Sequence, residues 1–222
     1  MLGSTERDGS CLRVVATREK ANLSKVSEEH RLPESLAVDL DGCFEDLVSH
    51  FQDRLFAFAY RITANREDAE EVAQDAFVRA YRALRSYPEA RIRSLSLRAW
   101  LYQITLNVAR NKVRRKRHRV VSIGGPHQAG DHAAFEVEDD PETRPDSALE
   151  KKQRRRTLAG LVAGLPERYR STLVLRYVEG LRLEEVAQIL KQPLGTVKSN
   201  AHRAIAALRE SMATSRRAEV VV

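Results

Sequence analysis

The stretch "LEEVAQILKQPLGTVKSNAHRAIAAL", residues 183–208, carries two apolar stripes at helical spacing, separated by Gln192-Pro193-Leu194-Gly195. Leu183, Val186, Ala187 and Leu190 share one face; Val197, Ala201, Ile205 and Leu208 share another. Two short helices joined by a Pro/Gly-containing break read as a helix-turn-helix. The second helix opens with Thr196-Val197-Lys198-Ser199, not with the acids that helix starts favour. An acid-free first turn suits an anion, because the amino end of a helix presents unsatisfied N–H groups and positive potential. In a helix-turn-helix the N-terminal part of the second helix enters the DNA major groove. Thr196, Lys198, Ser199, Asn200, His202 and Arg203 then become candidate contacts. Lys198 and Arg203 rank ahead of Ser199, whose hydroxyl can return to its own helix backbone. Asn200 has the donor and acceptor that read an adenine edge. The same pattern also fits a plain helical hairpin whose outward side chains meet only water.

Bulk properties narrow the class. The 222 residues suffice for one ordinary domain or two small ones. Charged residues make up 31%, and the formal net charge of +7 suits a polyanionic partner, although a solvated basic surface gives the same sum. Cys11 and Cys43 form no disulfide framework, and no Cys/His cluster has metal-ligand spacing. No apolar run reaches membrane-spanning length, and the N-terminus lacks the apolar core of a signal peptide, so a cytoplasmic protein without membrane insertion is expected. His118, His127, His132 and His202 are scattered, and no nucleophile motif or Gly-rich phosphate loop is present. No catalytic, metal or cofactor site is predicted, and the chain is not expected to be an enzyme.

Upstream of the quoted stretch, helices are predicted around 148–163 and 166–178. Pro166 suits a first turn and Gly180 a stop. Before them, periodicity vanishes in "GGPHQAGDHAAFEVEDDPETRPDS", whose part from 131 to 146 sets seven acids against Arg144 alone. This is a flexible acidic linker. Earlier still, Phe44, Leu47, Val48, Phe51, Leu55, Phe58, Ala59 and Ile62 stack on one helical side. Asn65 can cap a second helix that turns Ala69, Val72, Ala73, Ala76, Phe77, Ala80, Tyr81 and Leu84 inward. Pro88 and a polar stretch interrupt the pattern. A third helix follows, with Leu97, Leu101, Ile104 and Val108 as its buried stripe. The predicted fold is all-α: two small helical domains joined by a flexible acidic linker, the C-terminal one containing the helix-turn-helix. Its parts are a flexible extension with one fragmentary helix (1–41), a helical domain (42–118), the linker (119–147), a second helical domain (148–210) and a frayed tail (211–222).

The third helix supplies its own footprint. Its end, "RNKVRRKRHR" at 110–119, holds seven cations and no acid. Each contacted phosphate would add a salt-dependent contribution; a basic helix end also complements its own dipole, but needs fewer charges to do so. Trp100, Gln103, Asn107, Arg110 and Arg114 follow at 3-4-3-4 spacing along one helical side. Such a face can hold a phosphate backbone while an aromatic supports a displaced base. Trp100 fits core packing as well as surface recognition.

In combination these segments resemble the extracytoplasmic-function sigma factors, promoter-recognition subunits of bacterial RNA polymerase. "REDAEEVAQDAFVRAY" (66–81) resembles the family's polymerase-clamp-binding segment, "LRAWLYQITLNVARNKVRRKRHR" (97–119) its minus-ten region, and "LPERYRSTLVLRYVEGLRLEEVAQILKQPLGTVKSNAHRAIAAL" (165–208) its minus-thirty-five domain. The resemblance covers roughly 43–118 and 148–210. It implies core RNA polymerase and promoter DNA as partners, and an anti-sigma protein as a common restraint. It places Asp68, Glu71, Gln74, Asp75 and Arg79 at the polymerase. Asn107, Arg110, Arg114 and Arg115 match the family's downstream-promoter helix, to which the helical spacing adds Trp100 and Gln103, and Thr196, Lys198, Ser199, Asn200 and Arg203 match its upstream recognition helix. The loop that captures an unstacked base in this family would lie within Ser86–Ser96, where "SYPEARIRSLS" departs from the usual connection and leaves the pocket residue open. Family members often carry a basic residue where this chain has Asn200. A helix-turn-helix regulator that acts without polymerase, or a helical adaptor with solvated basic stretches, would share the coarse pattern without these segments in this order.

Overall fold

The computed structural model describes residues 29, 31–123 and 145–220, and every regular element among them is helical. The predicted linker falls outside the described residues over 124–144, as do residues 1–28 of the N-terminal extension. The chain divides into two compact units.

The first unit joins the described residues through His50 to Ala83–Leu95. Helix α1 (31–38) buries Leu32, Leu36 and Ala37. It lies within the extension of 1–41, for which one fragmentary helix is expected, and an i, i+4, i+5 apolar stripe buries one side of its two turns. Helix α2 (Leu40–Thr63) starts at a side-chain cap, because Asp39 Oδ1 accepts the N–H of Gly42 at 2.9 Å. A Cβ at Gly42 would approach that carboxylate to 2.3 Å, so glycine keeps the cap in place. Beyond the end of helix α3 (Arg66–Ser86), the stretch expected to be an interruption forms a short helix, α4 (Glu89–Arg93). Pro88 sets its start, Ile92 is buried, and Arg93 pairs with Glu34 at 3.0 Å and Glu89 at 3.2 Å.

The second unit takes Phe51–Arg82 and everything described from Ser96 onward. Phe51, Leu55, Phe58, Ala59 and Ile62 of α2 are buried, as are Ala69, Val72, Ala73, Ala76 and Phe77 of α3. Asn65 caps α3 as expected, its Oδ1 accepting the N–H of Asp68 at 2.8 Å. Helix α5 (Leu97–Ile123) buries Leu97, Leu101 and Val108 but leaves Ile104 only half-buried. Tyr102, Thr105, Leu106 and Ala109 widen the buried face. Tyr102 meets the Phe58 ring edge-on with centroids 5.1 Å apart, a favoured aromatic geometry.

Helix α6 (Pro145–Gly164) begins a turn earlier than predicted. Helix α7 (Glu167–Leu173) starts after Pro166 and widens into a π turn, Val174–Val178. The wide turn is closed by Glu179 N–H donating to the Val174 carbonyl at 2.9 Å. Gly180, at φ +69°, ends it in the left-handed region that glycine enters without strain. Helices α8 (Leu183–Leu190) and α9 (Leu194–Val220) complete the chain. A small core of Leu165, Leu173 and Ala204 is flanked by Val162, Tyr169, Ile205, Ala207 and Leu208. Helix α9 runs through most of the tail expected to fray from residue 211.

Candidate nucleic-acid interface

The turn between α8 and α9 is tighter than the sequence suggested. Lys191 itself adopts the left-handed conformation (φ 52°), Gln192 N–H reaches back to the Ala187 carbonyl at 3.0 Å, and Leu194 already begins α9. Gly195 is therefore a first-turn residue and not part of the break. Val197, Ala201 and Ala204 are buried, which aims Thr196, Lys198, Ser199, His202 and Arg203 outward. No acid lies in the first turn of α9. The outward face is thus a short cationic and hydroxyl-bearing strip at the positive end of a helix.

Asn200 differs from its neighbours in this set. It is 7% exposed, and its Nδ2 donates to Gln192 Oε1 at 3.2 Å. Its helical position puts it on the side facing the turn, so it braces the α8–α9 junction and does not face outward. Arg203 has a second engagement: together with Arg168 it lies beside the Tyr169 hydroxyl and holds that phenol below its ordinary range.

On α5, Asn107, Arg114 and Arg115 are exposed, while Trp100, Gln103 and Arg110 are half-buried. Gln103 Nε2 donates to the Gln188 carbonyl at 3.3 Å, and Arg110 Nε reaches Glu167 Oε1 at 2.7 Å. The predicted face is therefore one side of one helix, yet two of its members already touch α7 and α8.

The acidic side of α3 is also partly used within the chain. Lys116 pairs with Asp68 at 2.8 Å, and Lys112 pairs with Asp68 at 3.8 Å and with Glu71. Asp68 is well covered by these lysines, its side chain 15% exposed. Gln74 is exposed, and Asp75 pairs with Arg79 one turn on, at 2.9 Å. Of the five predicted polymerase contacts, Asp68 is the one most committed to holding α5 in place.

A cluster that sequence reasoning did not find surrounds Glu179. The Tyr102 hydroxyl donates to its carboxylate, Arg98 Nη2 donates to its carbonyl, and Arg61 Nη1 lies 3.6 Å from its Oε1. Glu179 is 9% exposed and Tyr102 fully buried. Burial first, and the Glu179 charge next, push the Tyr102 phenol above its ordinary range. Only a tyrosine off the apolar stripe hinted at this cluster. Among the described residues no group of three metal-ligating side chains converges, and no helix is long and apolar enough to cross a membrane.

Known proteins share this layout. Residues 47–119 match the family model described as Sigma-70 region 2, and residues 155–208 that described as Sigma-70, region 4. The chain is 30% identical to the ECF RNA polymerase sigma factor SigW of Bacillus subtilis, over 76% of this chain and 88% of that one. It is also 30% identical to the ECF RNA polymerase sigma-E factor of Escherichia coli, over 72% and 82%. In fold it resembles the sigma factor RpoE of Bartonella quintana, solved in complex with the anti-sigma factor NepR: TM-score 0.59, 22% identity, 75% of this chain and 94% of that one.

Proposed function

Because this chain belongs to the extracytoplasmic-function (ECF) sigma factors, we propose that its helical modules, 42–118 and 148–210, meet the two halves of a promoter while α3 holds the polymerase. As a sigma factor it joins core RNA polymerase, recognises the minus-ten and minus-thirty-five elements, and promotes the DNA opening from which transcription starts. The chain works in the cytoplasm and forms no bonds itself; phosphodiester chemistry belongs to the polymerase.

The observation that carries the residue assignment is the acid-free, outward strip of α9. Thr196, Lys198, Ser199 and Arg203 contact the upstream duplex, with the helix amino end adding potential toward phosphate. Arg114 and Arg115 hold the downstream backbone, and Asn107 and Trp100 face the bases there. Gln103 and Arg110 complete that face once released from α7 and α8. Capturing bases in the opened form offsets an unstacking cost of roughly a few kcal/mol and shifts the duplex toward the open state. Glu71, Gln74, Asp75 and Arg79 form the polymerase-facing side of α3, and Asp68 positions α5 behind it. An anti-sigma protein, as in the Bartonella complex, is the restraint this reading includes.

Footprinting on promoter DNA with reconstituted polymerase tests the map. Lys198→Ala with Arg203→Ala should erase upstream protection, and Arg114→Ala with Arg115→Ala should erase downstream protection. Wild-type footprints and salt dependence in both double variants would refute the assignment.

A further inference from the structure

We propose that Arg168 and Tyr169 of α7, together with Arg203 of α9, form a clamp for one phosphodiester at the edge of the upstream duplex. The inference rests on the assignment of the α9 strip to that duplex and extends it to a second helix. Helix α7 packs along α9, and Tyr169 lies against the small core of Leu165, Leu173 and Ala204. That packing fixes the ring at the boundary of the core: Tyr169 is half-buried, while Arg168 and Arg203 are exposed. Arg168 folds over its neighbour. Its Cζ stands 4.8 Å from the Tyr169 ring centroid, and its Nη2 donates to the hydroxyl at 3.2 Å. Arg203 lies beside the same hydroxyl from α9; its guanidinium first, and that of Arg168 after it, hold the phenol below its ordinary range.

The chemistry of this corner selects an anion. A guanidinium only donates, so the Tyr169 hydroxyl can only accept from its two neighbours, and its own proton is left for a further acceptor. Two planar cations with spare N–H groups and one O–H donor suit the oxygens of a phosphate. Glu167 is the single acid of α7, and α9 carries none before Glu210, so the corner keeps a net positive charge. Position then selects a phosphate of DNA. Thr196, Ser199 and Arg203 follow at 3-4 spacing on one side of α9. At about 1.5 Å per residue, Arg203 stands roughly 10 Å along the helix from Thr196, and the major groove is about 12 Å wide. A helix that enters the groove with its first turn therefore brings its third turn, and α7 beside it, to the wall of phosphates and not to the base edges. Contacts of that kind fix register and carry no sequence.

The test uses holoenzyme reconstituted from core polymerase and the full chain, as wild type, Arg168→Ala and Tyr169→Phe. Arg168 is exposed, and phenylalanine keeps the ring against the core, so neither change removes core packing; circular dichroism melting of the free chains checks this. Each holoenzyme is titrated onto a fluorescein-labelled promoter duplex that the wild type protects. It is titrated as well onto a series in which one phosphate at a time, across the minus-thirty-five element, is replaced by an uncharged methylphosphonate. One methylphosphonate should weaken wild-type binding, and that sensitivity should be blunted in both variants. On the unmodified duplex, Arg168→Ala should lower the salt slope by about 1. Tyr169→Phe should bind about fivefold more weakly with the slope intact, and base preference should move in neither. Variants that keep wild-type affinity and slope, or that respond to every methylphosphonate as wild type does, overturn the clamp. A wild-type holoenzyme that protects no promoter overturns the sigma reading, and the clamp with it.

Discussion

Lys198 and Asn200 stand two residues apart on α9, and the fold exposes the first and buries the second. Lys198 is exposed, so Lys198→Ala should leave stability unchanged and reduce the salt slope of promoter binding by about 1. Asn200→Ala should do the reverse. It strands the Gln192 side chain at the turn and costs about 1 kcal/mol of stability in thermal unfolding, with promoter sequence preference intact. A shift in base preference for Asn200→Ala would show that the residue reads DNA after all. Tyr102 supports a second residue-level prediction. Its folded-state pKa is raised, so the stability gained by keeping it neutral is fully present below about pH 10 and is lost as pH climbs through the folded value. In a spectrophotometric titration of the folded chain, one of the six tyrosines should ionise after the others, and Tyr102→Phe should remove that late step. A single shared transition in both proteins would contradict the buried hydrogen bond.

At the scale of elements, what the sequence made legible was what neighbours in the chain decide. Asn65 caps α3 through a bond to Asp68, three residues on, and Asn65→Ala should cost about 1 kcal/mol, read as a lowered denaturation midpoint with unchanged slope. An unchanged midpoint would deny the cap. The apolar stripes of α2, α3 and α9 follow the same rule, because helical period is written locally. Contacts set by distant partners were not legible. Tyr102 and Glu179 are separated by 77 positions, and nothing near either residue announces the other. Asp68, which the family resemblance puts at the polymerase, is met by Lys112 and Lys116 of another helix, a contact that nothing near it in the chain announces. The short α4 hid because Pro88 and its polar neighbours imitate a loop, although Ile92 is buried. The burial of Asn200 was hidden for a related reason: its helical angle is readable, but the turn folding back over that side is not.

For the whole molecule, two cation-bearing surfaces lie on separate helical modules of a chain with no catalytic apparatus in its predicted set. On α9, Arg203 lies beside the Tyr169 hydroxyl, and on α5, Arg110 and Gln103 meet Glu167 and Gln188. The claim at the centre is that this chain directs polymerase to open promoters. The direct measurement is strand opening, followed by permanganate reactivity of unpaired thymines, on genomic promoter fragments carrying core polymerase with and without the chain. Reactive thymines confined to a downstream patch, appearing only when the chain is present and lost in Arg114→Ala with Arg115→Ala, are the predicted result. Opening that is the same with and without the chain, on every fragment, would contradict it.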